Sequence, residues 1–547
     1  MSATEQTKLI GVIDAGSNSV KFVIYQIPNF NQVCAHEIDI KQISPKEGFL
    51  EHDPEEIISA VRESAKVALH LLPNYGFTKD NIYTIGITNQ RETTVLWNKK
   101  TGKPLYNAIV WKDTRTTSSV DEIMEKLSVD QDHFREISGL PISSFGSALK
   151  IRWLKRFVPQ VRDACRDGLC LFGTVDTWII WNLIRGLHIT DCTNASRTLL
   201  MNLQTLNWDP QLCLAFSIDE KILPEIRSSS EVYGKINDNS DLDGLIISSI
   251  IGNQQASLVG QLCFKTGQAK STYRSGCFLL CNIGNKPVFS HHGLVTTVAY
   301  KFGKNKPVYA LEGNIAIAGT ALKWIKDNLK LMKDTSESEI LGSVVPTTGD
   351  CYFVPAFRGL FAPYYQKEAR GVICGLTAFT TKNHIIRASL ETVCYQVSDI
   401  IEAMKKDADI HLTKLHVDGK MADNNLLMQL QADLSGIPIL RSLSEDTTSL
   451  GCAIAAAKGV DLIDLRPENR VYSVKVHHDT YLPTTTAEDR RARIKKWKMA
   501  VERSYGWVEH KRSEEMTNER YELLSSIPFT LFLTSSFFLL AASEIFK

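Results

Sequence analysis

Leu9-Ile10-Gly11-Val12-Ile13-Asp14-Ala15-Gly16-Ser17-Asn18-Ser19-Val20-Lys21-Phe22-Val23-Ile24-Tyr25 reads as two short strands, Leu9–Asp14 and Val20–Tyr25, joined by a tight turn at Ala15–Ser19. The first strand ends on a carboxylate and the turn opens on glycine. The same local grammar returns far downstream at Val417-Asp418-Gly419. Around the first turn, Asp53–Leu72 is apolar at helical spacing (Ile57, Ile58, Val61, Ala65, Ala68, Leu71), with Asp53 as N-cap and Pro54 at the first helical position. Ile82–Thr88 reads as a strand, and Leu149–Phe157 and Val175–Leu183 as helices. A second series follows Gly267. It predicts strands at Ser271–Leu280, Leu294–Tyr300, Val308–Gly313, Lys414–Asp418 and Ile437–Arg441. It predicts helices at Ile317–Leu329, His384–Lys405, Asn424–Leu434 and Ser449–Lys458. Two successive runs of strands then helices imply an α/β protein of two lobes with a ligand cleft between them.

The chain has 547 residues, 44% of them hydrophobic and 22% charged, which is ordinary globular composition with a length suited to several domains. Net charge is +1 and there is no dense basic stripe, so no nucleic-acid partner is expected. The 12 cysteines include no CxxC pair, and they read as buried, reduced thiols of a cytosolic protein. At the other end, Leu523–Ser543 carries no charged residue and holds Phe529, Leu531, Phe532, Leu533, Phe537, Phe538, Leu539 and Leu540. A bilayer core needs about 20 such residues, and the stretch has no amphipathic period, so a tail anchor is the expectation. The alternative is a terminal helix packed on the globular body. The boundaries read as 1–262 for a first lobe, 263–473 for a second, 474–522 for a polar extension and 523–543 for the tail.

Two short segments carry chemistry. In Asp14-Ala15-Gly16-Ser17-Asn18-Ser19, Gly16 permits close backbone approach, and the following residues offer N–H and hydroxyl groups to phosphate oxygens. Asp14 could hold Mg²⁺ through water, or the segment could be an ordinary hairpin turn. In Thr88-Asn89-Gln90-Arg91-Glu92-Thr93-Thr94, Arg91 donates and Glu92 accepts, so together they could clamp vicinal hydroxyls of a polyol; an ordinary loop ion pair is the alternative.

Longer stretches decide between these alternatives. Glu51-His52-Asp53-Pro54, Gly86-Ile87-Thr88-Asn89-Gln90-Arg91-Glu92-Thr93-Thr94 and Thr101-Gly102-Lys103-Pro104-Leu105-Tyr106-Asn107-Ala108-Ile109-Val110-Trp111 come first. Phe172–Trp178, Thr193–Thr198, Ser229–Gly234, Ala310-Leu311-Glu312-Gly313 and Val417-Asp418-Gly419 follow. With these segments the chain resembles the glycerol kinases of the FGGY carbohydrate kinase family from about residue 9 to 510. The resemblance implies a two-lobe actin-like, ribonuclease-H-like ATPase fold that moves the γ-phosphoryl of Mg-ATP to a terminal hydroxyl of glycerol. It implies a substrate pocket of Arg91, Glu92, Trp111, Phe145, Asn253, Gln254 and Phe278. It implies nucleotide contacts at Asp14, Gly16, Ser17, Asn18, Ser19, Lys21, Arg274, Ser275, Gly319, Lys323, Gly419, Lys420 and Asn424, with Asp14 the Mg²⁺ ligand through water. Long eukaryotic members end in an apolar tail, so the resemblance also implies the cytoplasmic face of a membrane, the mitochondrial outer membrane. It leaves homo-oligomers open.

The departures from the family pattern fall on the site itself. The family's catalytic carboxylate is Asn253 here, in Gly252-Asn253-Gln254-Gln255. The glycerol-contacting tyrosine is Phe145. Arg274 stands for glycine in Ser271-Thr272-Tyr273-Arg274-Ser275-Gly276-Cys277, Lys420 for the second glycine of a Gly-Gly turn, Ala15 for glutamine, Lys21 for arginine, and Tyr365-Gln366 for Trp-Asp. An amide takes no proton at neutral pH, and loss of a positioned base removes about 10² to 10⁴ in rate. A non-glycine residue forced to positive φ costs about 1 to 2 kcal/mol, which is the expectation at Arg274 and Lys420 unless their charges attract phosphate instead. The expectation is a glycerol kinase family protein of weak or no turnover. The alternatives are a functioning glycerol kinase and a kinase for another polyol.

Overall fold

In the computed structural model of the chain, residues 7–357, 359–444, 446–465 and 476–508 are described; the expected tail at 523–543 lies outside them. Among the described residues no helix is long and apolar enough to cross a membrane.

The opening hairpin forms as the sequence predicts. Strand β1 (Leu9–Ala15) pairs antiparallel with β2 (Ser19–Gln26), Asp14 opposite Lys21, and Gly16 N–H donates to Ser19 C=O at 2.9 Å to close the turn. With β3 (Asn31–Asp39), β4 (Ile82–Asn89), β5 (Ser230–Lys235) and β6 (Ile246–Gly252), these build a six-stranded sheet in the order β5-β6-β4-β1-β2-β3. Strands β1, β4 and β6 run parallel. Their parallel centre is apolar on both faces, as a sheet covered on both sides requires. Helix α1 (Pro54–Leu71) covers one face; Asp53 accepts from Glu55 N–H at its N-cap.

The second lobe repeats this plan. Strands β7 (Ala269–Tyr273), β8 (Cys277–Gly284), β9 (Val295–Tyr300), β10 (Val308–Ile315), β11 (Leu415–Asp418), β12 (Ile439–Ser442) and β13 (His478–Tyr481) lie in the order β9-β10-β8-β7-β11-β12-β13. An antiparallel hairpin is again flanked by two parallel strands. The single strand expected at Ser271–Leu280 is therefore two, reversed at Arg274–Gly276. Ser275-Gly276 supplies the turn, and a Cβ on Gly276 would lie 2.4 Å from Ile315 C=O, so the turn is pressed against the end of β10 and needs glycine there. The polar stretch after 473 joins this lobe. Strand β13 extends its sheet, and Trp497 donates to Asp399 at 2.8 Å while stacking on Tyr395.

Two helices join the lobes. Helix α2 (Asn253–Gly260) follows β6, and a later helix (Thr447–Gly459) returns to seat on the first lobe's sheet. There Ser230 and Ser248 donate to Ala455 and Ala456 C=O at 2.7 and 2.8 Å. Boundaries drawn at 262 and 473 along the chain do not carry this contact. The two helices touch through glycine: a Cβ on Gly451 would sit 1.8 Å from Ala256 C=O, and one on Gly260 1.9 Å from Thr447 C=O. The apolar cluster around them draws Ile10, Val12, Val23 and Ile251 from one lobe and Leu280, Ala299 and Ala310 from the other.

Candidate active site

The Arg91-Glu92 pair stands just past the end of β4. Glu92 has φ +62°, a strained backbone for a non-glycine residue that clusters at binding sites. Arg91 does not face Glu92 as a simple ion pair. Its two terminal nitrogens grip Glu312 of β10 at 2.7 and 2.8 Å, and one also donates to Gln255 at 3.2 Å. Arg197 instead binds Glu92 at 2.6 Å and approaches Glu312 at 3.6 Å. All four side chains are buried. Burial alone would push the Glu312 carboxyl up, but the Arg197 and Arg91 charges outweigh it and hold the group at about 2. Arg91 keeps Nε–H and one terminal N–H for a ligand, and Glu92 keeps one oxygen.

Around this pair the aromatic residues close a wall. Trp111 lies 6.1 Å from Phe145 in a stacked arrangement and 5.7 Å from Phe278 edge-on. Its indole N–H donates to Ser17 at 2.9 Å, tying this wall to the first turn. Lys150 Nζ holds Phe145 by its carbonyl at 2.5 Å. Asn253 and Gln254 occupy the first positions of α2, with Gly252 as N-cap. A Cβ on Gly252 would lie 2.9 Å from the Arg91 side chain, so the helix start and the arginine are in contact. The structure thus brings Arg91, Trp111, Phe145 and Phe278 together, with the helix start that carries Asn253 and Gln254 packed beside Arg91 through Gly252.

The residues expected at the nucleotide form two groups. In the first turn Ser19 is bonded to Glu37 and Asn18 accepts from Gln42 at 2.7 Å, so of the three polar side chains only Ser17 faces the pocket residues. Lys21 pairs with Asp446, the N-cap of the returning helix. The Asp14 carboxyl is pushed up to about 6 by burial and by Asp446, against the opposing charges of Lys21 and Arg274. In the second lobe, Ser275 C=O accepts from Ala318 and Thr320 N–H at 2.9 and 3.1 Å, and Arg274 C=O from Gly319 N–H at 3.1 Å. The hairpin is thereby clipped to the helix bearing Gly319 and Lys323 (Gly319–Trp324). Gly419 has φ +92°, and a Cβ there would lie 2.4 Å from Tyr273 C=O. The strain expected at Arg274 and Lys420 is absent: neither is among the positive-φ residues, because Gly419 alone takes the left-handed conformation and the Arg274–Gly276 turn closes without it. Arg274 instead places charge near Asp14. Lys420 is exposed and pairs with Asp423 at 2.9 Å. Asn424 caps the helix Asn425–Ser435 through Leu427 N–H at 2.9 Å.

Glu312, Arg197, Asp446 and Lys270 are site residues that reading the sequence did not single out. A lone carboxylate inside the apolar strand Val308–Ile315 was the available signal, since a buried acid needs a partner.

Two family models cover most of the chain. The N-terminal domain of the FGGY family of carbohydrate kinases matches residues 9–260 and the C-terminal domain matches 272–460. The chain belongs to the FGGY family of carbohydrate kinases. Among its relatives, a glycerol kinase of Brucella anthropi is 47% identical over 509 residues, spanning 92% of this chain and all of the relative. A probable glycerol kinase of Dictyostelium discoideum is 42% identical over 542 residues, spanning 92% and 99%. The crystal structure of Plasmodium falciparum glycerol kinase with ADP superposes with a TM-score of 0.84 at 36% identity, covering 92% of this chain and 99% of that one. A gluconate kinase of Lactobacillus acidophilus, 21% identical with a TM-score of 0.78 over 91% and 97% of the chains, shares the fold. This FGGY chain therefore has the two-domain α/β sugar-kinase architecture, an actin-like ATPase fold, and it is a homologue of glycerol kinases over most of its length.

Proposed function

We propose that the cleft binds glycerol and Mg-ATP and that the chain transfers the γ-phosphoryl to a terminal hydroxyl of glycerol slowly. Arg91 and Glu92 would hold the polyol's other hydroxyls, with the Trp111, Phe145 and Phe278 rings against its carbons. The observation that carries the reading is Asn253. It stands at the start of α2 beside Gln254, next to the Gly252 that packs on the Arg91 stem, and two of the nearby carboxylates are hydrogen-bonded elsewhere. Glu312 is gripped by Arg91 and Arg197, and one oxygen of Asp418 accepts from Ser257, Thr447 and Gln261. The amide at 253 therefore offers the hydroxyl proton no acceptor at that position, and the free oxygen of Glu92 is expected at the polyol's other hydroxyls.

Asp14 fits a magnesium ion that keeps most of its water and takes its other ligands from phosphate. Among the described residues only Ser449 Oγ bonds its carboxylate, at 3.3 Å, and a cation would offset the desolvation that holds its pKa up. When bound, the ion would supply positive charge between the nucleotide phosphates. A coupled assay of ADP release with glycerol tests the proposal. Turnover is expected to be at least about 100-fold below that of a family member with the carboxylate; near-normal turnover would reject it. The reading also keeps a membrane attachment through the uncharged Leu523–Ser543 stretch, on a mitochondrial outer membrane.

A further inference from the structure

Lys270 lies on β7 with its side chain fully buried. Its Nζ donates to Gln254 Oε1 at 2.5 Å and to Thr272 Oγ1 at 2.9 Å. Gln254 belongs to the polyol side. Thr272 sits two residues before the Arg274–Gly276 hairpin on the nucleotide side. The amine therefore stands between the two halves of the cleft, and both its partners are neutral. The charged and titratable groups that act on it are Asp418, Glu312, Arg91 and the Cys263 thiol. None of these carboxylates is in ion-pair contact with it: Glu312 is spent on Arg91 and Arg197, and Asp418 is bonded by hydroxyls and an amide. Burial pulls the amine down to about 8, Asp418 and Glu312 opposing. A buried ammonium without a paired anion is expensive to keep. Its position makes sense if the anion arrives with the ligands.

Resting on the glycerol-kinase reading of the same cleft, we propose that Lys270 contacts the phosphoryl group in transit between nucleotide and polyol and balances the negative charge on its oxygens. In that step the bond from phosphorus to the ADP oxygen breaks and the bond to the polyol oxygen forms. The hydroxyl proton leaves to water, and Lys270 stays protonated throughout. It does not replace the missing base at 253.

The test is calorimetric titration of the full chain with glycerol 3-phosphate at pH 8 in buffers of different ionisation enthalpy. An anion beside Lys270 raises its proton affinity, so binding is expected to take up about half a proton. Lys270→Met should lose that uptake and bind the phosphate at least about 10-fold more weakly, with glycerol affinity changing less; Lys270→Arg should recover most of the phosphate affinity. Binding without proton uptake in the unmodified chain, or equal uptake in Lys270→Met, overturns the assignment. The measurement on the unmodified chain decides even if Lys270→Met does not fold. If glycerol and Mg-ATP themselves fail to bind, the kinase reading falls and takes this inference with it. If both bind and the phosphate draws no proton, only the role of Lys270 falls.

Discussion

Replacing Asn253 by aspartate adds one carboxylate oxygen and one negative charge at the first position of α2. Gly252 is the N-cap there, with no side chain to satisfy the free N–H groups of the first turn. A carboxylate at that end of a helix is favoured by about 0.3–1 kcal/mol, and Lys270, held at the neighbouring Gln254, adds a cation nearby. The carboxyl introduced by Asn253→Asp is therefore expected to be ionised at neutral pH and able to take the hydroxyl proton. Regaining a positioned base is worth about 10² to 10⁴ in kcat, or roughly 3 to 5 kcal/mol of barrier. The KM for glycerol should change little, because amide and carboxylate both accept a hydrogen bond from the hydroxyl. The coupled ADP assay on both proteins, from pH 5 to 9, reads the effect. In Asn253→Asp the rate should fall only as the pH drops toward an ordinary carboxylate value of about 4. A kcat within about tenfold of the unmodified chain would refute the reasoning, since the missing proton acceptor would then not be what limits the site.

Glu312→Gln leaves Arg91 and Arg197 buried against a neutral amide. It should cost about 3–5 kcal/mol of stability, read by urea denaturation, and weaken glycerol binding, read by calorimetry. The same carboxylate sets a pH dependence. Its folded pKa of about 2 lies below the ordinary glutamate value of 4.5. Its stabilising contribution is therefore complete above about pH 4.5 and is lost as the pH falls toward 2; acid titration of Glu312→Gln should lack that segment. Gly451→Ala puts a methyl 1.8 Å from Ala256 C=O and should destabilise by about 1–3 kcal/mol or more, seen as a lowered urea midpoint. Ending the chain after Arg520 should move it from membranes to the soluble fraction; an unchanged distribution would remove the tail as an anchor.

Much of the fold is legible in the sequence because its signals are local. Asp53 and Pro54 announce the helix they begin, and Val175–Leu183 is a helix over the predicted span. Asp14-Ala15-Gly16 announces a turn that a short backbone bond closes. Ser271–Leu280 reads as one continuous strand because its flanks are apolar and β-prone; the Ser275-Gly276 dipeptide was the available turn signal, and the structure reverses the chain there. The strain expected at Arg274 and Lys420 fails for a related reason. A glycine in relatives does not say that φ is positive, whereas the backbone does.

The amino-acid order alone settled the alternation of strands and helices, the two-lobe α/β plan, and the amide at position 253, since each depends on residues within a few positions or on one side chain's chemistry. Only the folded chain decided that Arg91 would meet Glu312, 221 residues away, that Lys270 would be buried between neutral partners, and that the Thr447–Gly459 helix would return to the first sheet. Charges so distant in sequence find each other only when strand register and the packing of the two lobes bring them within a few ångströms, and no local pattern encodes that meeting.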